Sequence, residues 1–270
     1  MKAPLTLGSL LLSVCLIYSC SKDNDSKTPK PVLKEYSIAF YNSRVYHHYY
    51  ERDANGKLIA ERDSTKGLVS TYNYLYNNNG KVSQVEFHDN RGPATYATEF
   101  IYNAAGQIIK RQSRSVTMAI NEDYNTYAYD AAGHLIIDSQ FSKGSGSSYQ
   151  LSWVSKFSYT GDNATEGEMY QMVNGSLKLY ARVKSEYDDK INPFKILDND
   201  YYINEAGSSI FTITLKSANN VTKQYIAMGN GAYELEVNTS YQYNADNSVW
   251  KAKAEDVKQA NRNSDMEFFF

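Results

Sequence analysis

The sequence predicts an all-β protein: one large antiparallel sheet of consecutive hairpins, strongly curled or closed into a barrel-like shell. Three observations carry this. The chain holds 25 tyrosines against 10 phenylalanines and 2 tryptophans, and tyrosine suits a half-buried pleated surface where the ring packs and the hydroxyl reaches water. Asn, Gly and Asp gather in short clusters between the aromatic runs, the composition of tight turns. One turn motif recurs along most of the chain.

The motif reads aromatic-x-Tyr-(Asp/Asn)-x-x-Gly-x-apolar and occupies residues 50–58, 74–82, 100–108 and 127–135. The first copy carries Arg52 where the others have Tyr76, Tyr102 and Tyr129, and its glycines, at 56, 80, 106 and 133, lie 24, 26 and 27 residues apart. The Asp or Asn opens the turn by bonding backbone two residues on, and the glycine takes the positive φ that closes it. Degenerate copies follow at 157–163, 201–207 and 241–247, with Asn163 and Asn247 expected in the glycine's role, and a further one at 186–190. Such a period holds about two strands and two turns, so eight units imply roughly fourteen to eighteen strands. A sheet that large must curl, split or close to protect its edges. The best helical stretch, 251–259, does not displace the strand reading.

The N-terminus is organised for export. Lys2 precedes an apolar run of about fourteen residues, too short to cross a bilayer and suited to a signal peptide over residues 1–19. Leu16-Ile17-Tyr18-Ser19-Cys20 resembles the lipobox of bacterial lipoproteins, with Tyr18 larger than is usual at its position. The resemblance implies cleavage before Cys20 and acylation of that cysteine. The other cysteine, Cys15, leaves with the signal, so the mature chain has no disulfide to form. Residues 20–33 form the acylated cysteine and a polar, proline-bearing tether, leaving 34–270 as a single hairpin-repeat domain. The acidic stretch after Cys20 resembles the export tags of Bacteroidetes lipoproteins, and a generic solvated spacer accounts for it equally.

Tyr129-Asp130-Ala131-Ala132-Gly133-His134-Leu135 resembles the YD repeat of Rhs-type proteins. The layout of lipobox, tether and hairpins is similar, over nearly the entire mature chain, to uncharacterised Bacteroidetes outer-membrane lipoproteins with a porin-like β fold. Glu186-Tyr187-Asp188-Asp189-Lys190-Ile191-Asn192-Pro193-Phe194 resembles a segment common there. These likenesses imply a fold and a cell-envelope location, surface-exposed or periplasm-facing, and no site. Strands such as 108–114 carry charge at both parities and so lack a continuous lipid-facing stripe. The closing Phe268-Phe269-Phe270 suits either an outer-membrane insertion signal or a final strand.

The formal net charge of −2 and the lack of a basic run argue against nucleic acid. His47, His48, His88 and His134 show no chelating spacing, and adjacent His47 and His48 face opposite sides of a strand, so no metal or cofactor is expected. No hydrolase, phosphate-loop or dinucleotide fingerprint appears. The carboxylates Glu166, Glu168, Asp188, Asp189, Asp198 and Asp200 read mostly as turn residues, and Gly144-Ser145-Gly146-Ser147-Ser148 as a hairpin loop. Asp63-Ser64-Thr65 resembles a Bacteroidetes O-glycosylation motif, or an Asp-Ser turn. Trp153 and Trp250 are the expected stacking anchors. The expected function is therefore a non-enzymatic, lipid-anchored envelope protein, binding glycan or peptide on an aromatic sheet, or else a structural β-shell for another envelope component. The expected contacts are the membrane through Cys20 and that ligand or component.

Overall fold

The computed structural model describes residues 32–40, 45–90, 96–115, 123–143, 148–197 and 213–270. The signal peptide, Cys20 and most of the tether lie outside them, as do Asp198, Asp200, the repeat copy at 201–207 and residues 144–147. The described strands are β1 (Glu35–Phe40), β2 (Val45–Arg52), β3 (Leu58–Thr65), β4 (Leu68–Tyr76), β5 (Val82–Asp89), β6 (Tyr96–Tyr102), β7 (Ile108–Ser115) and β8 (Asp123–Tyr129). The second half adds β9 (Leu135–Lys143), β10 (Tyr149–Thr160), β11 (Asn163–Val173), β12 (Ser176–Ile191), β13 (Asn219–Met228), β14 (Glu234–Tyr243), β15 (Val249–Asp256) and β16 (Ser264–Phe269). Each strand pairs antiparallel with the next, and β16 pairs with β1, so the sheet closes into a sixteen-stranded barrel. Phe268 and Phe269 belong to that closing strand, and residues 249–256 are strand rather than helix.

The turn chemistry follows from the motif. Asp53 Oδ1 accepts the amides of Asn55 and Lys57, each at 2.9 Å, and Asn77 and Asp130 repeat the arrangement. Gly80 and Gly133 take φ of 75° and 91°, and Asn247 does the same at 64°. Asn163 does not: Gly161 supplies the positive φ of that turn, and Asn163 starts β11 opposite Thr160. The segment 186–190 forms no hairpin turn either, because it lies inside β12.

Each of the first four motif turns is followed by a bulge: Ile59, Ser83, Ile109 and Ile136 are extra residues on the return strands, opposite the steps into Arg52, Tyr76, Tyr102 and Tyr129. This bulge explains the motif tyrosine. Its hydroxyl donates to the carbonyl of the apolar residue that opens the preceding return strand: Tyr102 to Val82 at 2.7 Å, Tyr129 to Ile108 at 2.8 Å and Tyr159 to Leu135 at 2.9 Å. Tyr76 bonds Leu58 in the same way, whereas in the copy at 241–247 the motif tyrosine, Tyr243, donates to Asp188. Arg52, in the first motif copy, instead donates to the carbonyl of Gly56 in its own turn. Each ring thus ties one hairpin to its neighbour and satisfies a carbonyl at an irregular point of the ladder.

The apolar core lies inside the barrel at the end of these tight turns. Tyr36, Tyr50, Leu58, Tyr74, Phe100, Ile108, Tyr127, Leu135, Phe157 and Phe268 are buried there together. The described parts of the connection from β12 to β13, residues 192–197 and 213–218, pack at that end. Asn192, buried, donates to the carbonyls of Thr214, Leu215 and Ser217 and accepts the amide of Phe194. Phe194 then packs edge-on against Tyr36 and Phe268, with ring centroids 5.2 and 5.6 Å away. Leu33, fully buried, enters at the same end, where Lys34 bonds Phe269 and Tyr50.

Candidate functional site

The core cluster marks the lumenal face, and register carries that assignment around the sheet, since directly paired residues share a face. The outer face is charged along the middle of the strands. Arg62 meets Glu51 and Arg114 meets Glu99, each at 2.6 Å, while Lys223 meets Glu186 and Lys251 meets Glu267 at 3.3 Å. All eight side chains are part-exposed. Some apolar outward residues gather beside the tight turns, where Ile59, Leu75, Ile101, Ile109 and Trp250 are each more than a third exposed, and Val45, Tyr49 and Leu177 are exposed elsewhere on the wall.

Above the apolar floor the lumen carries polar groups alongside a ring cluster of Tyr72, Phe87 and Tyr96. Asp138, facing Tyr127 across the ladder, is 5% exposed and accepts a 2.8 Å bond from Asn125. Burial pushes its carboxyl up to about 7, against the opposing pull of the Asn125 amide and the Arg111 charge. On the wall formed by β2 and β3, His48 lies opposite Asp63, with Glu61 two residues along the same face. The sequence expectation that His47 and His48 point apart holds, since His47 pairs with Glu35 at 3.2 Å instead. Asp63 and Ser64 stand at the end of a strand and not in a turn.

The expected anchors do not come together. Trp153 shares the lumenal face by its register with Gln140 and Gln171, and its ring meets Tyr180 edge-on at 5.3 Å. Trp250 is on the outer face near the end that holds the apolar core, beside the Lys251 ammonium.

A cleft on the outer face is built from residues the sequence did not single out as a set. It has a volume of about 300 Å³ and is lined by Lys156, Ser158, Glu166, Glu168, Arg182 and Tyr233. Glu166 and Glu168 are strand residues here, on the middle of three adjacent strands, rather than turn carboxylates. Lys156, Glu168 and Arg182 form one cross-strand row, and Ser158, Glu166 and Lys184 the next. Arg182 fixes the far wall: Nε and Nη2 donate to the carbonyls of Gly229 and Gly231 at 3.2 and 2.6 Å, and the guanidinium lies 4.9 Å from the centre of the Tyr233 ring. Tyr170 donates to Glu168 at 2.7 Å, and that bond, with burial, raises its phenol pKa. Partial burial raises the Tyr233 phenol too, against the Arg182 charge. The cleft floor therefore offers two cations, two carboxylates, a hydroxyl and an aromatic ring, with no excess of either sign. Glu166 and Glu168 stand side by side, not opposed across the cleft as a glycosidase acid–base pair stands. The signal that finds this set is register across three strands, which one sequence does not print.

With this geometry in hand, known structures supply the comparison. The barrel is similar to a porin-like protein from Bacteroides uniformis, at 12% identity and a TM-score of 0.57, over 88% of this chain and 98% of that one. A porin-like protein from Bacteroides vulgatus matches over the same shares, at 12% identity and a TM-score of 0.58. At that identity the likeness establishes the fold. No protein-family model and no curated protein matches the chain.

Proposed function

We propose that the protein is a non-enzymatic, lipid-tethered envelope barrel that binds a saccharide in the outer cleft between Lys156, Glu166, Glu168, Arg182 and Tyr233. The observation that carries this reading is the composition of the cleft. A neutral, polyhydroxylated ligand needs alternating donors and acceptors and one flat apolar face; Lys156, Ser158, Glu166, Glu168 and Arg182 on the sheet and Tyr233 beside it offer that set. Two clamped carbonyls hold the Tyr233 segment in place before any ligand arrives, which lowers the cost of ordering it. The porin-like fold of the Bacteroides proteins supports an envelope location.

The wall supports the tether. Charged pairs at mid-strand would each cost about 2–4 kcal/mol in a bilayer, so the barrel stands in water and an acyl chain at Cys20 holds it to the membrane. The chain enters the barrel at the end that holds the apolar core, where some apolar outward residues also gather, and this end faces the membrane.

A glycan array probed with the full chain in detergent tests the cleft. The expected result is saturable binding to one oligosaccharide class, at least ten-fold weaker in Tyr233→Ala and unchanged in Trp153→Ala and Trp250→Ala. Arg182 still clamps the Gly229 and Gly231 carbonyls in Tyr233→Ala, so the cleft keeps its frame. Binding lost in Trp153→Ala alone moves the site into the lumen. No binding by folded protein contradicts the ligand reading and favours a structural shell.

A further inference from the structure

We propose that the lumenal wall at β2–β3 is a divalent transition-metal site made by His48, Glu61 and Asp63. Hairpin register builds it, since His48 faces Asp63 directly and Glu61 lies two residues along β3 on the same face. The ligand atoms of the three residues all lie within 4.8 Å of one another. His48 Nδ1 is 4.0 Å from Glu61 Oε1 and in contact with Asp63 Oδ1. A tetrahedral ion at about 2.0–2.1 Å from each donor places those donors roughly 3.3 Å apart, so small side-chain rotations suffice.

Two further features bear on the cluster: the His48 and Asp63 donor atoms are closed off from solvent, and Glu61 adds one carboxylate beyond a His–Asp pair. His48 Nδ1 and Asp63 Oδ1 are both buried from solvent and are paired with each other. Two carboxylates face one imidazole, a donor set that suits a divalent cation. The surroundings also orient the donors. The Tyr36 ring stacks on the His48 imidazole at 4.2 Å and 2°, and the Tyr74 hydroxyl donates to Glu61 Oε2 at 3.1 Å. Such outer contacts fix ligand planes in metal centres. One imidazole with two carboxylates suits zinc and its first-row neighbours better than calcium, which takes six to eight oxygens. Three protein ligands leave a coordination position open to the lumen.

The test titrates zinc into the chelator-stripped full chain in detergent, by calorimetry, with the cobalt absorption spectrum reporting coordination. The expected result is one ion per chain and a rise in thermal midpoint on loading. Asp63→Asn and His48→Gln each weaken uptake at least ten-fold while circular dichroism keeps the β spectrum, and His47→Gln leaves it unchanged. No stoichiometric uptake overturns the proposal, with the triad then an ion pair that stabilises the hairpin equally with and without zinc. Uptake that survives both Asp63→Asn and His48→Gln overturns it as well.

Discussion

Asp138 sits where burial and a single amide donor oppose each other. Its carboxyl, raised from 3.8 to about 7, keeps its proton in the folded barrel over a pH range where the unfolded chain has lost it. The native state then binds more protons than the unfolded state, so stability falls as pH rises from about 4 to about 7 and levels off above. Asp138→Asn keeps an acceptor for Asn125 and removes the ionisable group. Thermal melts should show the variant more stable than the parent at pH 8, by up to roughly 4 kcal/mol, with the gap closing towards pH 4. An equal gap at both pH values contradicts this account. The sequence shows Asp138 only as one carboxylate in a return strand. Strict alternation does not tell its face, because the bulge after each motif turn puts two consecutive residues outward and shifts the parity of all that follow. The same shift hides the cleft row of Lys156, Glu168 and Arg182.

At the scale of the hairpin, the turn residues were legible and the tyrosine's task was not. Asp53, Asn77, Asp130, the glycines and Asn247 act within five residues of one another, and local chemistry prints itself in local sequence. Asn163 misled because Gly161, two residues earlier, already supplied the left-handed conformation. The tyrosine hydroxyl reaches a carbonyl about twenty residues back, in the previous hairpin, so no local pattern reveals it. Tyr102→Phe and Tyr129→Phe each keep the ring and leave that carbonyl without its donor. Denaturant unfolding should show a loss of about 1 kcal/mol for each, with an unchanged slope. A loss of zero in both means the hydroxyls are incidental. The segment 186–194 carries a task of a different kind: Tyr187 donates to Ala164, Asn192 gathers three carbonyls, and Phe194 reaches the far wall. Sequence marked the segment as a likeness, and the plug it forms depends on strands far away in the chain.

For the molecule as a whole, strand number followed from the repeat count, and closure followed from the need to protect edges, with sixteen strands inside the expected span. What faces the lumen and what faces out came only from register. That register places ion pairs around the outside, tyrosines over a closed floor, and both polar and aromatic side chains above it. The barrel shares its fold with the porin-like Bacteroides proteins, and its wall presents ion pairs where a membrane-spanning barrel presents an apolar band. The most direct test replaces residues 1–20 with a cleavable secretory signal, so that the barrel is exported without Cys20, followed by fractionation and a carbonate wash. The expected result is a folded, soluble barrel released from the membrane. Barrel that stays in the washed membrane pellet contradicts it, because the wall itself would then be holding lipid.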